Sequence, residues 1–85
     1  MQQITYACVN LKGASQFGEA VRLFRKRRKL TKQQVADLAG CSLMYVSNLE
    51  RGKSTTELGK ALAILDVLDV DISFSDRKGL GNGDG

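Results

Sequence analysis

Histidine is absent from this 85-residue sequence. That removes an imidazole base, a Ser-His nucleophile pair and histidine metal ligation. Cysteine is scarce: Cys8 and Cys41 are too few for a zinc site and lack a CxxC spacing. Free thiols in a reducing cytoplasm are the expected state, in preference to a disulfide between them. No apolar run approaches the length of a membrane span, and the N-terminus lacks a basic region followed by an apolar stretch. Asp37 and Glu50 are the nearest thing to paired carboxylates, but neither has a partner base or metal ligands nearby in sequence. The expectation is a cytoplasmic, non-enzymatic chain with no metal, no cofactor and no membrane association.

Eighty-five residues make one small domain, enough for a single modest core and marginal as an isolated monomer. The formal net charge is +4, and its distribution is uneven. Residues 1–60 carry eleven Lys and Arg against four acids, whereas residues 61–85 carry two bases against five acids. A basic front suits a polyanion, and an acidic back suits a protein surface.

The segment LTKQQVADLAGCSLMYVSNLERG, residues 30–52, is the most informative. Thr31 is a good N-cap, and Gln34 three positions later completes a capping box. Val35, Ala36, Leu38 and Ala39 supply an apolar face. Gly40 is suited to the left-handed conformation that ends a helix. Ser42 is a second N-cap, Val46 and Leu49 share one face of a second helix, and Gly52 closes it. Two short helices around a Gly turn form a helix-turn-helix unit, whose second helix lies in the DNA major groove.

Around this unit the pattern predicts a first helix over 15–28, with Phe17, Ala20, Val21 and Phe24 as its core stripe. Arg25 to Lys29 complement the C-terminal end of its dipole. Ser54 and Glu57 form another capping box, opening a helix to about Leu68 with Leu58, Ala61, Leu62 and Leu65 as its stripe. Gly59 inside it is expected to permit a close approach, since an unneeded helical Gly costs about 1 kcal/mol. Val70, Ile72 and Phe74 then alternate with Asp71, Ser73 and Ser75, the pattern of a half-buried strand. The domain layout is thus an arm over 1–14 with a possible short strand, a DNA-binding domain over 15–69, a strand over 70–76 and a Gly-rich solvated tail over 77–85. The tail glycines precede no helix that could cradle a phosphate, and a single GNGDG lacks the neighbouring repeats that a calcium site of that type needs.

Phe17 to Leu68 resemble the Cro/C1-type (XRE) helix-turn-helix domain of phage repressors and bacterial regulators. Ala36 sits at the motif's small-residue position, Gly40 at its turn and Val46 at its buried aliphatic position, within LTKQQVADLAG…VSNLERGK. The resemblance implies a mainly α, lambda-repressor-like fold of four to five helices. The passage from the last helix straight into DVDISFSD is similar to HipB-type antitoxins. That similarity implies a short C-terminal β-strand pairing across a homodimer, autorepression of an operon through an inverted repeat in double-stranded DNA, and a HipA-like kinase toxin as partner. It places the chain in the bacterial cytoplasm, at the nucleoid when bound to its operator.

Carried over position by position, the resemblance assigns base contacts to Ser42, Leu43, Met44, Ser47 and Asn48, with Tyr45 at the edge. Asn48 suits bidentate pairing with adenine, and Leu43 and Met44 suit thymine methyl groups. Packing of Met44 into the core is the alternative. Phosphate contacts fall on Lys32, Gln33, Ser42 and Lys53, with Arg27 or Arg28 as a candidate for the flanking backbone and most of the run 22–29 expected to be solvated. Arg25 and Glu50 match a structural ion pair. The dimer interface is expected at Leu65, Leu68, Val70, Ile72 and Phe74, with pairing of strand 70–75 to residues 4–9 inside the subunit as a compatible alternative. Two readings compete with the antitoxin: a stand-alone prophage-type or restriction-modification controller, and a protein-only interaction module suggested by the apolar Leu43-Met44-Tyr45.

Overall fold

The structure is a computed structural model that describes residues 13–53, 57–74, 76 and 78. Among these, four helices account for the regular structure: α1 Ala14–Arg27, α2 Lys32–Ala39, α3 Leu43–Glu50 and α4 Leu58–Val67. The possible strand at 4–9, the Ser54 cap and the glycine tail lie outside the described residues.

Local chemistry explains where the two middle helices start. The Thr31 hydroxyl accepts from Gln34 N at 3.0 Å, while Gln34 Oε1 accepts from Thr31 N at 2.8 Å, so two free amides at the head of α2 are tied reciprocally. Ser42 Oγ accepts from Tyr45 N at 3.0 Å and does the same for α3.

The four helices end alike. Lys29, Gly40, Gly52 and Asp69 each adopt positive φ, between 58° and 82°. The next residue in each case (Leu30, Cys41, Lys53 or Val70) donates its N–H to a carbonyl five residues back, at 2.9–3.2 Å. This left-handed closure satisfies carbonyls that the last turn leaves free. It also turns the following residue inward, and Leu30, Cys41 and Val70 all pack against the core. Gly40 and Gly52 take the conformation without strain, whereas Lys29 and Asp69 take it with a Cβ present.

The core consists of Val21, Val35, Ala36, Val46, Leu49, Ile64, Leu65 and Leu68, ringed by half-buried Phe17, Phe24 and Ala39. α1 packs on α3, and α2 packs on both α3 and α4. The approach of α1 to α3 is set by Gly18. A Cβ there would collide with the Leu49 carbonyl oxygen and stand 2.8 Å from that of Glu50.

Several expectations need correction. Glu57, expected inside the first turn of α4, stands at its N-cap without a side-chain cap bond, and the helix runs from Leu58. Its buried stripe is Ala61, Ile64, Leu65 and Leu68, while Leu58 and Leu62 are exposed. The apolar residues of α4 nearly encircle it, so their spacing did not single out one face. A Cβ added at Gly59 would meet nothing within 4 Å among the described residues, and the close approach belongs to Gly18. Residues 70–74 carry no strand among the described residues, because a strand needs a ladder partner and the described chain offers none. Leu65 and Leu68, expected at a dimer interface, are 6% and 0% exposed and belong to the chain's own core. Val70 packs against that core as well, while Ile72 and Phe74 stand out at 43% and 95% exposed.

Candidate nucleic-acid interface

α3 has two unlike sides. Val46 and Leu49 are 0% and 4% exposed and anchor it in the core. Leu43 and Met44 are exposed, and Ser47 and Asn48 are half-buried. These four fall at i, i+1, i+4 and i+5, which places them on one side of a helix. Met44 is 72% exposed, so it does not pack in the core. Ser42 lies exposed at the helix N-terminus, its hydroxyl oxygen engaged by Tyr45 N.

Tyr45 is held differently from its neighbours. Its hydroxyl donates to the Glu57 carbonyl oxygen at 3.0 Å, and the Lys60 ammonium lies 5.5 Å from its ring centroid. Lys60 in turn pairs with Glu57 at 2.7 Å, and this hydrogen bond raises the Lys60 pKa. The tyrosine therefore ties α3 to the start of α4. Beside this cluster Cys41 is half-buried; burial pushes its thiol pKa up, and Lys60 opposes the shift.

The orientation of α3 is set by Arg25. Its Nε donates to Glu50 Oε2 at 2.5 Å, Nη2 to Glu50 Oε1 at 3.0 Å and Nη1 to the Leu30 carbonyl at 2.8 Å. One guanidinium thus joins α1, the turn into α2 and the last residue of α3. The two residues are 7% and 8% exposed. Bonding to Glu50 raises the Arg25 pKa against the opposing effect of burial, so the cation persists at any working pH.

The expected phosphate ligands are spread over two helix ends. Lys32 is half-buried at the first position of α2, and Lys53 is exposed just past α3. Gln33 Nε2 donates to Asp37 Oδ1 at 2.8 Å, so its amide donor already has a partner. In the basic run, Arg28 Nε donates to the Leu68 carbonyl at 2.9 Å and caps α4, while the Arg27 guanidinium lies 5.8 Å from the Phe24 ring. Those two arginines have internal roles that spacing alone did not disclose; Arg22, Lys26 and Lys29 are exposed. Sequence reasoning also passed over Arg51, whose Nη2 donates to Asn48 Oδ1 at 2.6 Å. The signal was available, since residues three apart on a helix are neighbours.

Chemically, this side of the molecule offers a partly exposed helix with apolar and amide groups in its middle and cations at its flanks. That combination fits a base-pair groove bordered by phosphates. Among the described residues, no group of three or more His, Cys, Asp or Glu could hold a metal ion, and no helix is long and apolar enough to cross a membrane.

Comparison with known proteins agrees with this geometry. Residues 21–75 match the helix-turn-helix family of the Cro/C1 type. The HTH-type transcriptional regulator y4mF of Sinorhizobium fredii is 36% identical over 64 residues, spanning 75% of this chain and 84% of that protein. A competence pilus inhibition repressor of Acinetobacter baylyi is 45% identical over 51 residues, which span 60% of this chain and 43% of the repressor. Among solved structures, a HipA-HipB-O2-O3 complex aligns with a TM-score of 0.74 at 23% identity, over 82% of this chain and 99% of that one. The restriction-modification controller C.AhdI of Aeromonas hydrophila aligns with a TM-score of 0.64 at 29% identity, over 68% and 88%.

Proposed function

Because the chain belongs to the XRE-type helix-turn-helix family and is a DNA-binding transcriptional regulator of that type, we propose that it is a sequence-specific autorepressor. It binds an inverted repeat as a homodimer and serves as the antitoxin of a HipA-like kinase toxin. The observation that carries the DNA reading is the two-sidedness of α3, with Val46 and Leu49 locked in the core and Leu43, Met44, Ser47 and Asn48 turned outward. Bases are read by that outward side together with Ser42, with Tyr45 at its edge. Lys32 and Lys53, with the amides at the start of α2, hold the phosphates on either flank. The Arg25–Glu50 pair fixes the angle at which α3 meets the groove.

The antitoxin reading is supported by the likeness to HipB over nearly the whole of that chain and by the segment after α4. Exposed Ile72 and Phe74 alternate with polar residues, as in a strand that pairs with its copy across a two-fold axis and covers both apolar side chains. In that arrangement residues 70–76 form the dimerisation strand, 1–14 an arm and 77–85 a tail. Two α3 helices then sit roughly 34 Å apart, one turn of DNA. A second reading, a stand-alone controller without a toxin, is favoured by the higher identity to C.AhdI.

Co-purification with the product of the adjacent gene, in the presence of the operon's promoter DNA, separates them. A ternary complex on an inverted repeat supports the antitoxin. DNA binding with no protein partner supports the controller, and binding to neither removes the base-reading assignment.

A further inference from the structure

Arg25 and Arg28 stand three residues apart, the one in α1 and the other at its C-cap, and they hold different helices. Arg25 binds Glu50, the last residue of α3, and so fixes the end of the base-reading helix. Arg28 prolongs α1 by one residue at φ −83°, ψ −2°, and its Nε donates to the Leu68 carbonyl at 2.9 Å. Leu68 is the C-cap of α4 and is 0% exposed, so water does not compete for that carbonyl.

The chain leaves the helical core at Leu68. The peptide plane that Leu68 shares with Asp69 is held from both sides: the Asp69 N–H donates to the Asp66 carbonyl at 3.1 Å, and the Leu68 carbonyl accepts from Arg28. Asp69 then takes φ 58°, and the Val70 N–H donates to the Leu65 carbonyl at 2.9 Å. Of these three bonds, only the one from Arg28 reaches outside α4 and its exit. The helices pack in the succession α1 on α3, α3 on α2 and α2 on α4, and the Arg28 bond joins the first of them to the last.

Without that donor, the Leu68 carbonyl must turn toward water to recover a partner. Turning it rotates the peptide plane from which residues 70–74 depart. In the dimer proposed above those residues join the two protomers, so the path from one α3 to the other passes through this plane twice. A rotation at the plane is therefore amplified at the two α3 helices. One base pair of DNA amounts to about 3.4 Å along the axis and about 35° around it. A dimer of fixed geometry accepts one half-site spacing and is penalised at its neighbours, where the DNA must deform to fit.

We propose that Arg28 is a positioning residue for operator spacing: by fixing the exit of α4 to α1, it sets the distance between half-sites that the dimer accepts. This rests on the DNA-binding homodimer proposed above.

The test compares wild type, Arg28→Met and Arg28→Lys as full chains. Far-UV circular dichroism checks folding and sedimentation checks dimerisation; Arg28 is exposed, so these substitutions leave the core intact. Selection by wild type from a randomised duplex pool supplies the inverted repeat. Duplexes are then made with one base pair added or removed between the half-sites, and with a single half-site. Wild type is expected to prefer the selected spacing over either neighbour by roughly tenfold or more, since the DNA must twist to compensate. Arg28→Met, folded and dimeric, binds the single half-site as wild type does but loses most of that spacing preference. Arg28→Lys, which still donates to the carbonyl, keeps it. An undiminished spacing preference in Arg28→Met overturns the inference. So does an equal loss on the single half-site, which makes Arg28 a phosphate ligand, or a failure to dimerise, which makes it part of the interface itself. A wild type that stays monomeric or enriches no inverted repeat overturns the proposed homodimer, and the inference with it.

Discussion

Substituting Glu50 by Ala tests whether the Arg25–Glu50 pair builds the interface or touches DNA. Removing the carboxylate leaves the Arg25 guanidinium, 7% exposed, with its bond to the Leu30 carbonyl and no counter-charge from Glu50. An uncompensated buried charge of this kind costs about 3–5 kcal/mol. A chain of 85 residues has a total stability of about 4–13 kcal/mol at 0.05–0.15 per residue. Glu50→Ala therefore removes a large fraction of it and lowers Tm by more than about 12 °C, at about 4 °C or more per kcal/mol. Arg25→Met with Glu50→Met in one chain removes both charges and recovers much of that loss, since apolar replacement of a buried pair is often close to neutral. The assay is thermal and urea unfolding by far-UV circular dichroism, with DNA affinity measured well below each Tm. If Glu50→Ala melted like wild type yet lost DNA binding, the pair would be a recognition element and the structural argument would be wrong.

Three further outcomes are expected. Gly18→Ala forces a Cβ into the backbone of α3 and destabilises by about 1–3 kcal/mol, while Gly59→Ala, whose new methyl meets nothing within 4 Å among the described residues, stabilises by about 0.5–1 kcal/mol; melts of the two variants that move in the same direction contradict the packing described. The Cys41 thiol has a raised pKa in the folded chain, chiefly from burial, so its contribution is full below the unfolded thiol pKa and is lost as pH rises through the folded value. Stability from pH 8 upward should fall less steeply in Cys41→Ala than in wild type, measured by urea unfolding across that range. Operator affinity should fall with salt at a log–log slope of about −4 for a dimer using Lys32 and Lys53 on each half-site, at about 0.9 per phosphate. Lys53→Gln should reduce that slope by about 2, and a slope near zero for wild type would favour the protein-only module.

What could be read from the sequence was what is decided locally. The Thr31–Gln34 box, the Ser42 cap and the Gly40 and Gly52 closures each involve residues within a few positions of one another. Their side chains and backbone preferences fix them without reference to the rest of the fold. The outward residues of α3 came from the family resemblance, which left Met44 open between the groove and the core until its 72% exposure decided it. Arg25 and Glu50 lie twenty-five residues apart, and spacing alone says nothing about them; their pairing came from the family resemblance. Arg28 on the Leu68 carbonyl, forty residues away, had no such guide. Gly18 and Gly59 show the same limit. Each is a glycine inside a helix, and which of them marks a close approach depends on what another helix brings against it. In α4 the apolar residues nearly surround the axis, so periodicity could not choose between Leu58-Leu62 and Ile64-Leu68 for the core.

Residues 70–74 pose a different problem. The alternation of Val70, Ile72 and Phe74 with polar residues is the local signature of a strand, yet the described chain carries no ladder for it. Sequence preference selects an extended conformation, but a strand exists only when main-chain groups on another segment accept its hydrogen bonds. Val70 is tied down by its N–H bond to the Leu65 carbonyl at 2.9 Å and by the core. Beyond it, Phe74 is 95% exposed, a costly place for a large aromatic side chain in a free monomer. The pattern calls for a partner strand outside the described residues, and the proposed dimer would supply one from a second copy of the chain. Replacing Ile72 and Phe74 with Ser should leave the Tm of the four-helix protomer nearly unchanged. It should nonetheless abolish dimerisation in sedimentation, and with it the cooperative binding of two half-sites.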